Sequence, residues 1–82
     1  MAKILFFGRL TDLTGTDETT LDLPASVNDT GSLREWLDSE LDTQGVLLEP
    51  TTRIALNAQI VPEASPVSNI DEIAFMPPVG GG

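Results

Sequence analysis

A chain of 82 residues is one domain with a single modest core, burying only about 60% of the surface its unfolded form would expose, which leaves no room for a deep enclosed active site. It holds neither Cys nor His, which removes disulfides, thiolate nucleophiles, zinc sites built from sulfur or imidazole, and the commonest general base. Thirteen acidic residues against four basic ones give a formal net charge of −9, which argues against a nucleic-acid partner, since that binding rests on neutralising phosphates with Lys and Arg.

Ala2 to Phe7 (AKILFF) reads as a strand rich in aromatic and branched residues. Alternation places Ile4 and Phe6 on one face and Lys3, Leu5 and Phe7 on the other. The Lys3 face is expected to be the wetter one, yet it carries two large apolar groups. Between Gly8 and Glu18, Leu10 and Leu13 have the spacing of a single helical turn, closed by Gly15. Thr19 to Leu23 then alternates and is expected to pair antiparallel with the first strand, ending at Pro24.

The main helix is predicted from Ser32, which with Glu35 fits a capping box, to a stop at Gly45; a start at Ser26 or Asn28 is the alternative, against which Gly31 counts. Leu33, Trp36, Leu37 and Leu41 share one helical face, with Trp36 expected to be the main plug between helix and sheet. Asn28-Asp29-Thr30 matches a glycosylation pattern, but it reads as a turn or the approach to the helix. Asp38 and Asp42, with Glu35 nearby, read as a solvated helix face and not a cation site, so no metal is expected.

After Pro50 the strands return. Arg53 to Asn57 carries Ile54 and Leu56 on one face, Asn57-Ala58-Gln59 reads as a turn, and Ile60-Val61 as a short strand. Pro62 and Pro66 bracket an irregular connection. In Glu72 to Met76, Ile73 and Phe75 face one way and Ala74 and Met76 the other. One helix on one face of a small mixed sheet is the economical packing, an α+β fold. That leaves a sheet face uncovered, with Leu5, Phe7 and Met76 on it, and an apolar patch of this kind calls for a partner. The basic residues are scattered, and Arg9, beside Phe7, is a candidate docking contact. No apolar run approaches the ~20 residues of a membrane span, and without disulfides or a signal-peptide pattern the expected location is cytoplasmic.

Residues 77–82 form a different unit from the 1–76 domain. Pro77 and Pro78 cannot continue a strand ladder and hold the chain extended and stiff. Gly80, Gly81 and Gly82 follow, and the residues past Pro77 reach roughly 16–18 Å from the sheet edge. Glycine passes a narrow channel and approaches a reactive phosphate closely. The group such a tail delivers is the carboxylate of Gly82. A carboxylate is a poor electrophile until its oxygen becomes a leaving group, so an activating partner has to bring ATP and the catalytic residues. No stably bound cofactor is expected.

The ending FMPPVGGG, the start MAKILFFGRLTDLTGTDETT, and the segments LNAQIV and DEIAFMPPV resemble the small-subunit family of molybdopterin synthase, the MoaD group of ubiquitin-like sulfur carriers. The resemblance covers essentially the whole chain and is weakest over residues 26 to 50. It implies a β-grasp fold with the first and last strands parallel at the sheet centre. It also implies that an adenylating, ubiquitin-activating-like enzyme activates the Gly82 carboxylate with ATP, and that a sulfur donor converts it to a thiocarboxylate. The tail then enters the large subunit, where sulfur passes to a pyranopterin precursor of the molybdenum cofactor. By the same resemblance Gly81 and Gly82 are the functional pair, and Phe7, Ile60 and Met76 contact the large subunit. Gly80 stands where many relatives carry Ser, Thr or Ala, and Met76 where an aromatic is frequent. Two other readings share the early chemistry: a sulfur carrier for thiamine or another thio-product, and a protein modifier joined through Gly82 to lysines.

Overall fold

The computed structural model describes residues 1–78. Five strands and two helices run in the order β1 (Ala2–Phe6), α1 (Leu10–Thr14), β2 (Glu18–Leu21), α2 (Thr30–Leu41), β3 (Arg53–Leu56), β4 (Gln59–Ile60) and β5 (Glu72–Met76), with a 3-10 turn at Val46–Leu48 after α2. They form one mixed sheet ordered β2-β1-β5-β3-β4. β1 and β5 are parallel at its centre, with Ile4 opposite Ile73 and Phe6 opposite Phe75; the other pairings are antiparallel. This is the α+β, β-grasp arrangement.

The alternation of β1 and β5 sets the core. Ala2, Ile4, Phe6, Ile73 and Phe75 are buried on one face, and the rings of Phe6 and Phe75 stack with centroids 5.8 Å apart. α2 covers this face with Leu33 and Leu37, and Leu47 of the 3-10 turn completes the cluster. Each fully buried aliphatic side chain contributes about 1.5–3 kcal/mol relative to exposure.

Trp36 is not the plug. It is half-buried at the rim of the core. Leu33 and Leu37, four residues apart, define the centre line of the buried face, and Trp36 stands one helical position off it. The helix also begins before Ser32. Asp29 is the N-cap and Ser32 is the third helical residue: the Ser32 N–H donates to Asp29 Oδ1 at 2.8 Å, while Ser32 Oγ accepts from the Asp29 N–H at 3.3 Å. The bond from the Ser32 N–H, then that from the Ser32 hydroxyl, hold the Asp29 carboxyl below its ordinary range. Thr30 ties this start to the Pro62–Pro66 connection, its N–H donating to Ser65 O at 2.9 Å and its hydroxyl accepting from the Ala64 N–H at 2.8 Å.

At its other end α2 stops at Leu41, short of Gly45. Asp42 takes a left-handed conformation and donates its N–H to Asp38 O, a conformation Asp tolerates better than most residues. The Asp38 carboxylate accepts from the Thr43 hydroxyl and from the Gly45 N–H. Asp38 therefore holds the loop after the helix and is not a solvated spectator.

Four strands differ from their sequence patterns: β1 and β3 each end one residue early, at Phe6 and Leu56, and β2 and β4 depart further. β2 ends at Leu21 because Leu23 leaves the ladder and donates its N–H to Asn69 Oδ1 at 2.8 Å. β4 is Gln59–Ile60, not Ile60-Val61. Asn57 and Ala58 both have positive φ and make a two-residue hairpin turn, which brings Gln59 directly opposite Leu56.

Candidate functional site

Side chains of residues paired across a sheet point to the same face, so the register defines the face that α2 leaves open. Across it run Glu18 and Thr20 on β2, Lys3 and Leu5 on β1, Glu72, Ala74 and Met76 on β5, Arg53 and Ala55 on β3, and Ile60 on β4. Phe7 continues the β1 alternation, its N–H donating to Phe75 O at 3.1 Å. Phe7, Ile60 and Met76 thus lie on one sheet face, Phe7 and Met76 as the alternation predicts. Phe7 is 48% and Ile60 62% exposed, while Met76 and Leu5 are half-buried.

The face has two unlike ends. At the start of β1, Lys3 stands between two carboxylates, 3.8 Å from Glu18 and 3.9 Å from Glu72. At the other end Phe7 lies beside Met76, and the buried Ala74 and Ala55 run between them and the exposed Ile60 on β4. Because β1 and β5 are parallel, the chain leaves β5 at this apolar end, beside Phe7.

The stem is seated there by a residue the sequence does not mark as functional. Gly8 has φ +58, and a Cβ at this position would lie 2.8 Å from Pro77 Cγ. Gly8 is needed both for its left-handed backbone and for the Pro77 ring against it. A cleft of about 560 Å³ adjoins the stem on the helical side, lined by Arg9, Leu10, Leu13, Val46, Glu49 and both prolines, among others. A second cleft, of about 370 Å³, lies on the other side between Thr51, Arg53, Ile60 and Pro78. Pro78 is the ridge between them. Arg9 is therefore beside the stem, in the helical cleft and off the open sheet face.

Arg34 has a structural role that scattered basic residues give no hint of. Its guanidinium is buried, donating to Leu47 O at 2.8 Å, to Glu49 O at 3.2 Å and, through Nε, to Glu63 Oε1 at 2.8 Å. It thereby fixes the loop that carries Leu47 and Glu49, and with it one wall of the helical cleft. Gly80, Gly81 and Gly82 lie outside the described residues.

The sequence model of the ThiS family matches residues 4–82. The chain belongs to the ThiS family. Among relatives of this ThiS-family chain, the molybdopterin synthase sulfur carrier subunit of Escherichia coli is 35% identical, over 100% of both chains. Of solved structures, the complex of subunits 1 and 2 of molybdopterin-converting factor from Helicobacter pylori aligns at 25% identity with a TM-score of 0.63, covering 99% of this chain and 97% of the matched one. SAMP1 from Haloferax volcanii aligns with a TM-score of 0.79 over 99% of this chain and 98% of that one; at 17% identity the likeness concerns the fold alone.

Proposed function

We propose that this ThiS-family chain is the sulfur-carrier subunit of a molybdopterin synthase, bearing a thiocarboxylate on Gly82 and giving up its sulfur to a pyranopterin precursor in molybdenum cofactor biosynthesis. One observation carries the reading: the full-length likeness, at 35% identity, to a relative named for that role. The relation to one subunit of a two-subunit molybdopterin-converting factor supports a large-subunit partner.

The chemistry asks little of this chain's side chains. In an adenylating partner, a Gly82 carboxylate oxygen attacks the α-phosphorus of ATP and pyrophosphate leaves. Sulfide from a sulfur donor then attacks the acyl carbon, AMP leaves with the oxygen, the sulfur loses its proton, and a thiocarboxylate remains. In the large subunit the sulfur passes to the precursor, and water restores the carboxylate. The carrier contributes reach, slimness and a recognisable body. Gly80 and Gly81 serve passage into the partner's cavity; Pro77 and Pro78 are the stem; Phe7, Ile60 and Met76 are the docking surface. A stem that leaves the sheet beside that surface supports the assignment, because docking then aims the tail.

A single-turnover assay tests this. Thiocarboxylated chain mixed with a molybdopterin synthase large subunit and the cyclic precursor yields the dithiolene product, and Gly81→Val stops it while leaving thermal unfolding unchanged. Normal turnover by Gly81→Val overturns the passage argument, and a loaded native chain that gives no product overturns the function. High-mass conjugates that survive reducing agent would favour a protein modifier instead.

A further inference from the structure

We infer that Arg53 is a specificity contact, pairing with a carboxylate on the protein that covers the open sheet face. The inference rests on the proposed large-subunit docking and adds to it a charge requirement on the partner. Four residues of the chain are basic. Lys3 is paired with Glu18 and Glu72, and Arg34 is buried against Glu63 and two carbonyls. Arg9 and Arg53 make no ion pair among the described residues, and Arg9 shares the helical cleft with Asp12 and Glu49. Arg53 shares its cleft with Thr51, Ile60 and Pro78, and among the described residues no carboxylate lines it.

Position makes this consequential. Arg53 opposes Met76 in the β3–β5 register, and β3 lies between β5 and β4 in the sheet. Its side chain therefore stands beside Met76 on the open face, diagonal to Ile60, which opposes Ala55, and Arg53 and Ile60 line one cleft. A partner that buries Phe7, Met76 and Ile60 has to pass over Arg53. Taking an unpaired guanidinium out of water is strongly unfavourable, so a surface that fits this patch supplies a carboxylate there, which the planar guanidinium grips with two parallel hydrogen bonds. A purely apolar partner surface is rejected. Lys3 adds no such demand, since its charge is already answered within the chain.

The test measures binding of the full chain to a molybdopterin synthase large subunit, with association and dissociation rates resolved. Arg53→Glu is expected to weaken binding about 100-fold and Arg53→Gln about 10-fold, both chiefly through faster dissociation. Reversing one acidic residue of the large subunit to Lys restores tight binding to Arg53→Glu. Arg53 is exposed, so both variants are expected to melt like the native chain; should Arg53→Glu unfold, Arg53→Gln carries the measurement. Binding within about twofold of native, or a loss confined to association that disappears in high salt, overturns the inference and leaves the function standing. A native chain that does not bind at all overturns both.

Discussion

The seat of the stem invites a direct perturbation. Gly8→Ala has two costs that separate cleanly, because Gly15 provides a control. Both glycines have positive φ, +58 and +79, but a Cβ on Gly15 meets nothing within 4 Å whereas one on Gly8 meets Pro77 Cγ at 2.8 Å. The left-handed backbone alone costs an L-residue roughly 1–2 kcal/mol, partly offset by the lower unfolded-state entropy of Ala. Gly15→Ala should therefore lose about 1 kcal/mol. At Gly8 two carbons must also separate by about 1 Å to reach their preferred contact, and a proline ring cannot rotate aside, which adds roughly 1–3 kcal/mol of overpacking. Since 1 kcal/mol shifts Tm by about 4–8 °C in a domain this size, Gly8→Ala should melt about 10–20 °C below native and Gly15→Ala about 5 °C. A double-mutant cycle with Pro77→Ala, followed by urea unfolding, should return about 1–2 kcal/mol of coupling. Equal losses at Gly8 and Gly15, or an additive cycle, would show that Pro77 does not rest on Gly8 in solution.

Other outcomes follow from the same contacts. Arg34→Leu strands the buried Leu47 carbonyl and the partly buried Glu49 carbonyl and should cost about 1–3 kcal/mol by urea unfolding, whereas Glu63→Gln, on a more exposed side chain, should cost under about 1 kcal/mol. Phe7→Asp should weaken large-subunit binding at least about 30-fold, in line with loss of a central interface anchor, and move Tm by less than about 4 °C; Met76→Asp should act in the same direction. The pH dependence has a defined sign at Asp29. Its carboxyl is held below its ordinary value of 3.8 in the folded chain, so its stabilising effect is fully present above that value and is lost as pH falls through the lower, folded-state value. Asp29→Asn, which still caps but does not titrate, should lose less Tm than the native chain over that acid window; parallel curves would refute the charge-dependent cap.

Much of the fold was legible from alternation. In AKILFF and EIAFM the parity opposite Lys3 and Glu72 is wholly apolar, and the buried faces of β1 and β5 are those residues. The same alternation placed Phe7 and Met76 together on the open face before any pairing was known. What escaped it was contact between distant parts of the chain. Ser32 and Glu35 present the usual capping spacing, and the Asp29 cap together with the bonds that tie Thr30 to Ala64 and Ser65 explains why the helix starts earlier, with Gly31 inside it. Trp36 misleads because size suggests a plug, while the sheet offers α2 a space already filled by the stacked Phe6 and Phe75. Gly8 reads as an ordinary loop glycine until Pro77, from the other end of the chain, is laid against it. Arg53 reads as one of several scattered cations until the register sets it opposite Met76, in one cleft with Ile60.

The central claim is that the reactive group is the acid of the last glycine, and intact mass tests it most directly. The chain is expressed with an adenylating enzyme, ATP and a sulfur donor, and weighed whole. The expected result is a gain equal to one oxygen replaced by sulfur, lost when Gly82 is deleted and reversed on incubation with the large subunit and precursor. A full-length native chain that stays at its unmodified mass under these conditions, or a gain that persists without Gly82, would contradict it.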